Sequence, residues 1–596
     1  MKQGTKLISN NIDGHYTDGE IANNFSDKYK TLFNLPESDT NVHNYDDLFD
    51  VINDRVAHES LQVSHVSTQD VIRAVNKLKL NKNDGVYDLS SNGFKEAPVK
   101  LLEHISALFT TFLKHGHVPA KIITCSMLPL IKNRQGDIAS SDNYRAISLS
   151  TVLVKIFESV ILHRCYETLS TSNQQFGFKR NHSTIQCTWL VNETIRYYNS
   201  MNTSVFCCLL DCTKAFDRIS FSTLFTKLLN TTISGVILRC LLYMYLHQQS
   251  RVIWNNVSSE LFDISNGVRQ GSILSPILFG FYMEDLIRIV IRNKIGCKVG
   301  DVFTGILVYA DDIVLLAPRR QALQLMVDTC SNYAINHNLL FSTNPDPSKS
   351  KSKCMYFDHR SRVNNNNLAC ILLNDKRLPY VTSAKHLGNT LDCTRKDKDI
   401  SVKRGITIGK INGVLQEFNF AHPMTKCSVI HKYCTSFYGC ELWDFYSDDF
   451  AKILTTWNIY IRKAWGVPNT THRRFIEPLS GFNHVKVLIF KRFLNFFNQC
   501  MYHKENSLLN SMSRIICQNV NTVTGANLRR IWNETNINPI TLYKKIIPLL
   551  SYHKLPENEH FKINIIKELT DAKFGIAHTI LDYTQIEAML QDICCN

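Results

Sequence analysis

The sequence predicts an α+β fold built around a central sheet, and three observations carry that expectation. Between about Ser126 and Leu391, helical periodicities alternate with short apolar runs of strand length. After Thr394 the pattern becomes mostly helical, with Trp443, Trp457 and Trp465 at its centre. The composition, 44% hydrophobic and 20% charged over 596 residues, is that of a folded globular chain with room for several cores.

The elements follow in order. Ile21, Phe25, Tyr29, Leu32 and Phe33 recur at helical spacing, which predicts one docked helix within a looser, acidic extension that carries no assignable chemistry. Helical signals follow at Asp70–Leu80 and Val99–Leu113. The run Val205–Leu210 (VFCCLL) reads as a strand buried on both faces; it ends in Asp211, and a second carboxylate stands at Asp217. Gln270-Gly271 belongs to a loop, where glycine lets backbone approach a ligand closely. Ser275-Pro276 reads as an N-cap and first helical position, so a helix is expected from about Pro276 to Arg292. Gly305–Leu316 is two apolar runs flanking Asp311-Asp312, a β-hairpin with both acids at its turn. Asn344–Lys353 and the asparagine run Asn364–Asn367 are breaker-rich surface loops. A later helix packs Trp457, Ile461 and Trp465 inward and leaves Arg462 and Lys463 outside. A weakly patterned helical tail runs from about Gly481 to Asn596.

Charge narrows the partner. The net formal charge is +15, yet residues 1–70 hold 5 basic and 12 acidic side chains, so the main body carries +22. That sign favours a polyanion or an acidic membrane surface. Met1–Asn11 has no apolar signal core, and no apolar run reaches the roughly 20 residues of a membrane span. Nineteen scattered cysteines fit reduced intracellular thiols. Neither the group Cys427, His431, Cys434, Cys440 nor the tail cysteines match a zinc spacing, and no zinc is expected. No Lys/Arg-rich cluster marks a nuclear address, so nucleus and cytoplasm stay open.

Asp is a favoured turn residue, and a structural role for either acidic segment is the plain alternative. The functional reading brings Asp211 and Asp311 together to hold two divalent cations. Hard carboxylate oxygens suit Mg²⁺. Two such ions about 4 Å apart can activate a 3′-hydroxyl and stabilise departing pyrophosphate.

Three ordered motifs carry a resemblance. Leu209-Leu-Asp211-Cys-Thr-Lys-Ala-Phe216-Asp217, then Asn266-Gly-Val-Arg-Gln270-Gly271-Ser-Ile-Leu-Ser-Pro276-Ile-Leu-Phe279, then Tyr309-Ala-Asp311-Asp312 closely resemble the reverse transcriptases of non-LTR (LINE-type, jockey-like) retrotransposons. Asn143–Leu149 is similar to the family's fingers motif, Gln175–Arg180 to its next block, and Lys385-His-Leu387-Gly388 to its primer grip. The resemblance spans roughly Asp70 to Arg474. It implies a right-hand polymerase: an N-terminal extension over 1–117, fingers and palm with a central antiparallel sheet over 118–391, a helical thumb over 394–480 and a helical C-terminal extension over 481–596.

The implied activity is RNA-templated DNA synthesis, with an RNA template, a DNA primer, a dNTP and two Mg²⁺ ions, Mn²⁺ being possible. Asp211 and Asp311 are the implied metal ligands, with Asp312 as the neighbouring carboxylate. Lys132 and Arg145 would grasp the triphosphate, Gln270 and Gly271 the nascent base pair, and Phe216 would exclude a ribose 2′-hydroxyl. Lys351 would protonate pyrophosphate, with Lys349 and Lys353 as alternative registers. Leu387 and Gly388 would form the primer grip. Where the family usually has proline after Arg145, this chain has Ala146, which loosens φ but removes no ligand. The family's full-length elements place an endonuclease ahead of the polymerase; only about 100 residues precede Val118, so a truncated element is expected. A catalytically silent nucleic-acid-binding remnant and a group II intron maturase-like protein remain alternatives.

Overall fold

The structure, a computed structural model, describes residues 11–34, 45–84, 86–344, 346, 349–360, 368–394, 397–519 and 521–535. The asparagine run 364–367 and the end of the expected tail, after Thr535, lie outside the described residues.

Two sheets organise the first 400 residues. In one, strand Cys125–Ile131 pairs antiparallel with Tyr144–Ser150 and parallel with Gln249–Trp254. The other is the expected central antiparallel sheet, with strands in the order Lys353–Phe357, Val205–Asp211, Asp312–Ala317, Ile306–Tyr309. Val205–Asp211 is an inner strand, and its apolar run is covered on both faces. Cys208 and Leu210 join a core with Phe225, Phe279, Met326 and Cys330, from helices Phe221–Leu229, Ser275–Asn293 and Arg320–Asn336. Val205 and Cys207 join a second core with Trp189 and Leu190 of helix Thr184–Ser200 and Leu509 and Met512 of helix Ser507–Gln518. Side chains alternate across a strand, so a sheet sandwiched between helices needs apolar residues at every position. The run of six without a polar break follows from that.

The N-terminal helix is Asp18–Leu32, opened by a Thr17–Glu20 capping box. Its buried face, Ile21, Ala22, Phe25 and Tyr29, belongs to the main core. A second helix, Tyr45–Ala57, went unseen in the acidic pattern and buries Leu48 and Ile52.

After Thr394 the described residues are mostly helical, as expected. One apolar core joins Ile400, Trp443, Trp457, Phe490, Phe493 and Ile531, so helices on both sides of Gly481 share it. Helix Ser507–Gln518 leaves that core and lies on the central sheet. Trp189 Nε1 donates to Thr524 Oγ1 (2.9 Å), and Glu193 Oε1 accepts from Thr524 N (3.0 Å) and Oγ1 (2.7 Å). One expectation fails in part: Trp465 is only half-buried, and Arg462 is not a free outer cation. Its Nε and Nη2 donate to Thr471 O (3.0 and 2.7 Å), closing the turn after helix Asp448–Trp465. Cys427, Cys434 and Cys440 are buried in the helical core.

Candidate active site

The two central strands deliver the carboxylates. Asp211, the last residue of its strand, stands opposite Asp312, the first residue of the next. Directly opposed residues leave the same face with Cβ atoms about 5 Å apart. Only one acid occupies the turn itself: Tyr309 pairs with Asp312, so the turn is Ala310–Asp311 and Asp312 already belongs to the strand. Ala310 has φ 58°, a conformation an L-residue adopts only when held. The buried Gln175 holds it, its Oε1 accepting from Ala310 N (3.0 Å) and Gly177 N (2.8 Å). A Cβ on Gly177 would come within 2.4 Å of Ala310 N, so the Gln175-Phe-Gly segment seats the acidic turn.

Three like charges with little water around them favour protons. Burial pushes Asp211 up, offset by Lys351. Burial also pushes Asp311 up, with Asp211 adding to it, and Asp312 rises to about 6 through burial and then Asp311 and Asp211. Their common need is positive charge. Lys351 Nζ lies 3.9 Å from Asp211 Oδ2, whereas Lys349 pairs with Asp346 (3.7 Å) and Lys353 opens a strand opposite Leu209. Of the three lysines, the fold brings Lys351 to the carboxylates.

Basic groups gather near the acids: Arg145 and Lys351 act on Asp311, and Lys214, Arg145 and Lys132 on Asp217. Lys132 is pushed below the usual lysine range by desolvation and then by Lys214, Lys28, Arg145 and Lys351. Lys132 Nζ donates to Asp142 O (2.9 Å), and Arg145 stands on the strand Tyr144–Ser150 that pairs with the strand before Lys132. Lys214 and Lys28 were not anticipated. Lys214 sits between Asp211 and Phe216 with φ 51°, which aims that backbone out of the regular path.

Phe216 lies in the short helix Ala215–Arg218, its ring stacked on Phe279 (4.3 Å between centroids, 12°) and edge-on to the exposed Phe178 (5.9 Å, 84°). It is half-buried, with one face supported by core. The loop Asn266–Gly271 is stitched beside it. Val268 N donates to Phe216 O (2.7 Å), Gly267 N to Ile219 O (2.8 Å), and Ser148 N to Gln270 O (2.8 Å). A Cβ on Gly271 would meet Ser148 O at 2.3 Å, and φ there is 128°, so glycine is required on both counts. Gln270 Nε2 donates to Asp217 Oδ1 (3.0 Å); burial raises Asp217 to about 6, while that bond and Lys214, Arg145 and Lys132 lower it.

The expected N-cap is corrected. Helix Ser275–Asn293 has Leu274 as its cap residue and Pro276 in its first turn, and Ser275 makes no capping bond. Its start is served by Glu158, a fully buried carboxylate from helix Val152–Cys165, which accepts from Ser272 Oγ (2.8 Å) and Ile273 N (2.8 Å). A carboxylate satisfies orphan N–H groups at a helix N-terminus and suits the dipole there. Glu158 thus anchors the chain immediately after Gln270-Gly271.

Leu387 and Gly388 form the two-residue turn of the hairpin Ser383–His386/Asn389–Asp392, both with positive φ (47° and 81°). Tyr438 Oη donates to Leu387 O (2.9 Å) and Lys403 Nζ to Gly388 O (3.1 Å), tying the turn to the helical region that follows.

Among the described residues no group of three or more His, Cys, Asp or Glu side chains converges as a ready-made metal cage. The donor set still suits hard cations. Asp211 and Asp311 present carboxylate oxygens with mutually raised affinity for positive charge, and a lysine ammonium approaches Asp211. Mg²⁺ is commonly held by one or two carboxylates with water and substrate phosphates completing the shell, and such a site needs no protein cage. No described helix is long and apolar enough to cross a membrane.

Comparison with known proteins finds a likeness over this region. Residues 131–388 match the reverse transcriptase (RNA-dependent DNA polymerase) family. The chain is similar to the Pol polyprotein from the type-2 retrotransposable element R2DM of Drosophila melanogaster, 26% identical over 271 residues, 46% of this chain and 25% of the relative. It is also similar to the probable RNA-directed DNA polymerase from transposon BS of Drosophila melanogaster (25% identical, 63% of this chain, 40% of the relative). The RNA-directed DNA polymerase from mobile element jockey of Drosophila funebris is 25% identical and covers 65% of this chain and 40% of its own length. The chain therefore spans less than half of each of these relatives.

Proposed function

We propose that this chain, whose residues 131–388 match the reverse transcriptase family, is the RNA-directed DNA polymerase of a non-LTR retrotransposon. The observation that carries this is the placement of Asp211 opposite Asp312 and beside the Asp311 turn, with Lys351 Nζ 3.9 Å from Asp211 and Arg145 near Asp311. Acids gathered beside cations suit a substrate that carries phosphates and brings divalent ions.

Asp211 and Asp311 hold the ions, and Asp312 adds negative charge beside them. When bound, the ions stabilise the primer 3′-alkoxide and the departing pyrophosphate. Lys132 and Arg145 grip the triphosphate, with Arg145 offering a planar fork to its oxygens. Lys351 supplies the proton that pyrophosphate takes as it leaves. Gln270, held by Asp217, and Gly271 bear on the nascent base pair, and the supported ring of Phe216 forms a floor under the sugar. The Leu387–Gly388 turn steadies the primer end. An RNA template, a DNA primer and a dNTP are the substrates; fingers and palm occupy 118–391, the thumb 394–480, and further helices follow.

The test is primer extension on an RNA template with the full chain, with Mg²⁺ or Mn²⁺ and after chelation. Metal-dependent synthesis is expected, abolished by Asp211→Asn. Undiminished synthesis by that variant overturns the site assignment, and tight hybrid binding without any synthesis by the wild type indicates a silent binding protein.

A further inference from the structure

The helix Asp18–Leu32 lies outside the matched region, within the acidic extension, yet it is built into the cleft. Phe25, fully buried, packs against Tyr144 (5.2 Å between ring centroids) and Trp254 (5.4 Å) from two strands of the first sheet. Truncating a fully buried aromatic leaves a large cavity, so this helix is not loosely appended.

From that anchorage it touches two parts of the nucleotide site. Lys28 Nζ donates to Asp142 Oδ1 (2.6 Å) and Ser141 Oγ (2.7 Å), on the loop whose Asp142 carbonyl accepts from Lys132. Just before the helix, Asp13 Oδ1 accepts from Ser141 N (3.1 Å) on the same loop. At the other end, the carbonyls that a helix leaves unpaired are spent on the segment leading into Gln270. Phe33 O accepts from Ser265 N (3.0 Å) and Asn266 N (3.1 Å), and Leu32 O from Asn266 Nδ2 (3.3 Å). Asn266 Nδ2 also donates to Asp217 O (2.5 Å). Asp217 is the carboxylate that holds Gln270. An amphipathic helix that only covered core would need none of these polar contacts.

We infer that the helix Asp18–Leu32 is a positioning element of the nucleotide site, in which Lys28 sets the Lys132 loop and the helix's C-terminal carbonyls, through Asn266, set Asp217 and the Gln270 loop on one nucleoside triphosphate. This rests on the polymerase reading of the cleft. Lys28 touches no substrate; it acts through Asp142 and Ser141.

Full-length Lys28→Met is compared with wild type in single-nucleotide incorporation on an RNA template, with Lys30→Met as a control for charge on the exposed face of the same helix. Lys28→Met should raise KM for the dNTP about three- to tenfold, with kcat within about twofold and thermal midpoint unchanged. Lys30→Met should leave all three alone. Wild-type KM in Lys28→Met, or an equal rise in Lys30→Met, overturns the inference while the polymerase reading stands. Hydrogen exchange gives an answer independent of activity: amides of residues 132–143 should exchange faster in Lys28→Met, and an unchanged pattern overturns the inference. A wild-type chain that incorporates no nucleotide overturns the polymerase reading itself.

Discussion

Two groups of carboxylates sit at different places in this molecule, and their surroundings differ more than their residue types. At the end of the central sheet, Asp211 and Asp311 have Lys351 and Arg145 near them. Where helix Thr184–Ser200 meets the C-terminal helices, Glu193, Asp397, Glu441 and Asp444 line a cavity of about 70 Å³ with Arg196. Burial raises Asp312 to about 6 and Glu193 and Asp397 to about 7. The second group is wired to its own chain: Thr524 donates twice to Glu193 Oε1, and Asp444 N donates to Asp397 Oδ2 (2.9 Å), while Glu193 Oε2 stays buried without a partner. Neutral donors fix a carboxylate in place, whereas a half-exposed acid beside a lysine stays open to other partners. An acid cluster therefore serves chemistry through what faces it rather than through its own charge.

The strongest way to break this contrast is at the sheet. Asp211→Asn keeps the bulk of the side chain and removes a ligand, so nucleotide incorporation should fall by about three orders of magnitude or more, equivalent to about 4 kcal/mol. Its thermal midpoint should not fall, because a desolvated like charge has been deleted. Residual synthesis near wild type in a kinetic assay would erase the distinction between the clusters.

The junction should respond in stability instead. Glu193 has a folded pKa near 7, above its unfolded value, so its proton-linked contribution is full in acid and is lost as pH rises toward 7. Relative to wild type, Glu193→Gln should gain about 2 to 3 kcal/mol between pH 5 and pH 8, with polymerase activity retained. Denaturant midpoints at the two pH values measure this, and a pH-independent difference would show that Glu193 is ionised throughout.

A smaller effect isolates Phe216. Its stacking on Phe279 supports one face only, so Phe216→Val should fold and still make DNA, yet narrow the deoxy-over-ribonucleotide preference at least tenfold, about 1.4 kcal/mol. The ratio of kcat/KM values for a matched nucleotide pair decides between a sugar floor and simple packing. The mildest contrast lies within one loop. Lys351→Ala should slow incorporation about fivefold and shift its alkaline limb, while Lys349→Ala, whose partner is Asp346, should match wild type. Equal losses would mean that the loop contributes only diffuse charge.

The carboxylates were legible because each is local: an apolar run ends in Asp211, and two apolar runs turn around Asp311. The choice among Lys349, Lys351 and Lys353 was not legible, since it depends on how a breaker-rich loop approaches the end of another strand. Glu158 was hidden for a different reason. Helix Val152–Cys165 is apolar nearly all round, and the amide that Glu158 accepts from lies 115 residues away. Nothing in the local pattern distinguishes an anchor from a buried polar accident.

By itself the sequence determined the alternation of strands and helices, the buried central strand, and the order of the acidic, glutamine–glycine and hairpin motifs. These rest on periodicity and backbone chemistry, which act over a few residues. Only the tertiary structure decided that the acidic N-terminal helix braces the cleft, that Lys28 and Lys214 join Lys132 and Arg145, that Arg462 is spent on a turn, and that the helices beyond Gly481 share the core before it and return to the sheet. Each is a contact between segments far apart in the chain, and such contacts are set by which apolar faces must be covered and which orphan polar groups must find partners.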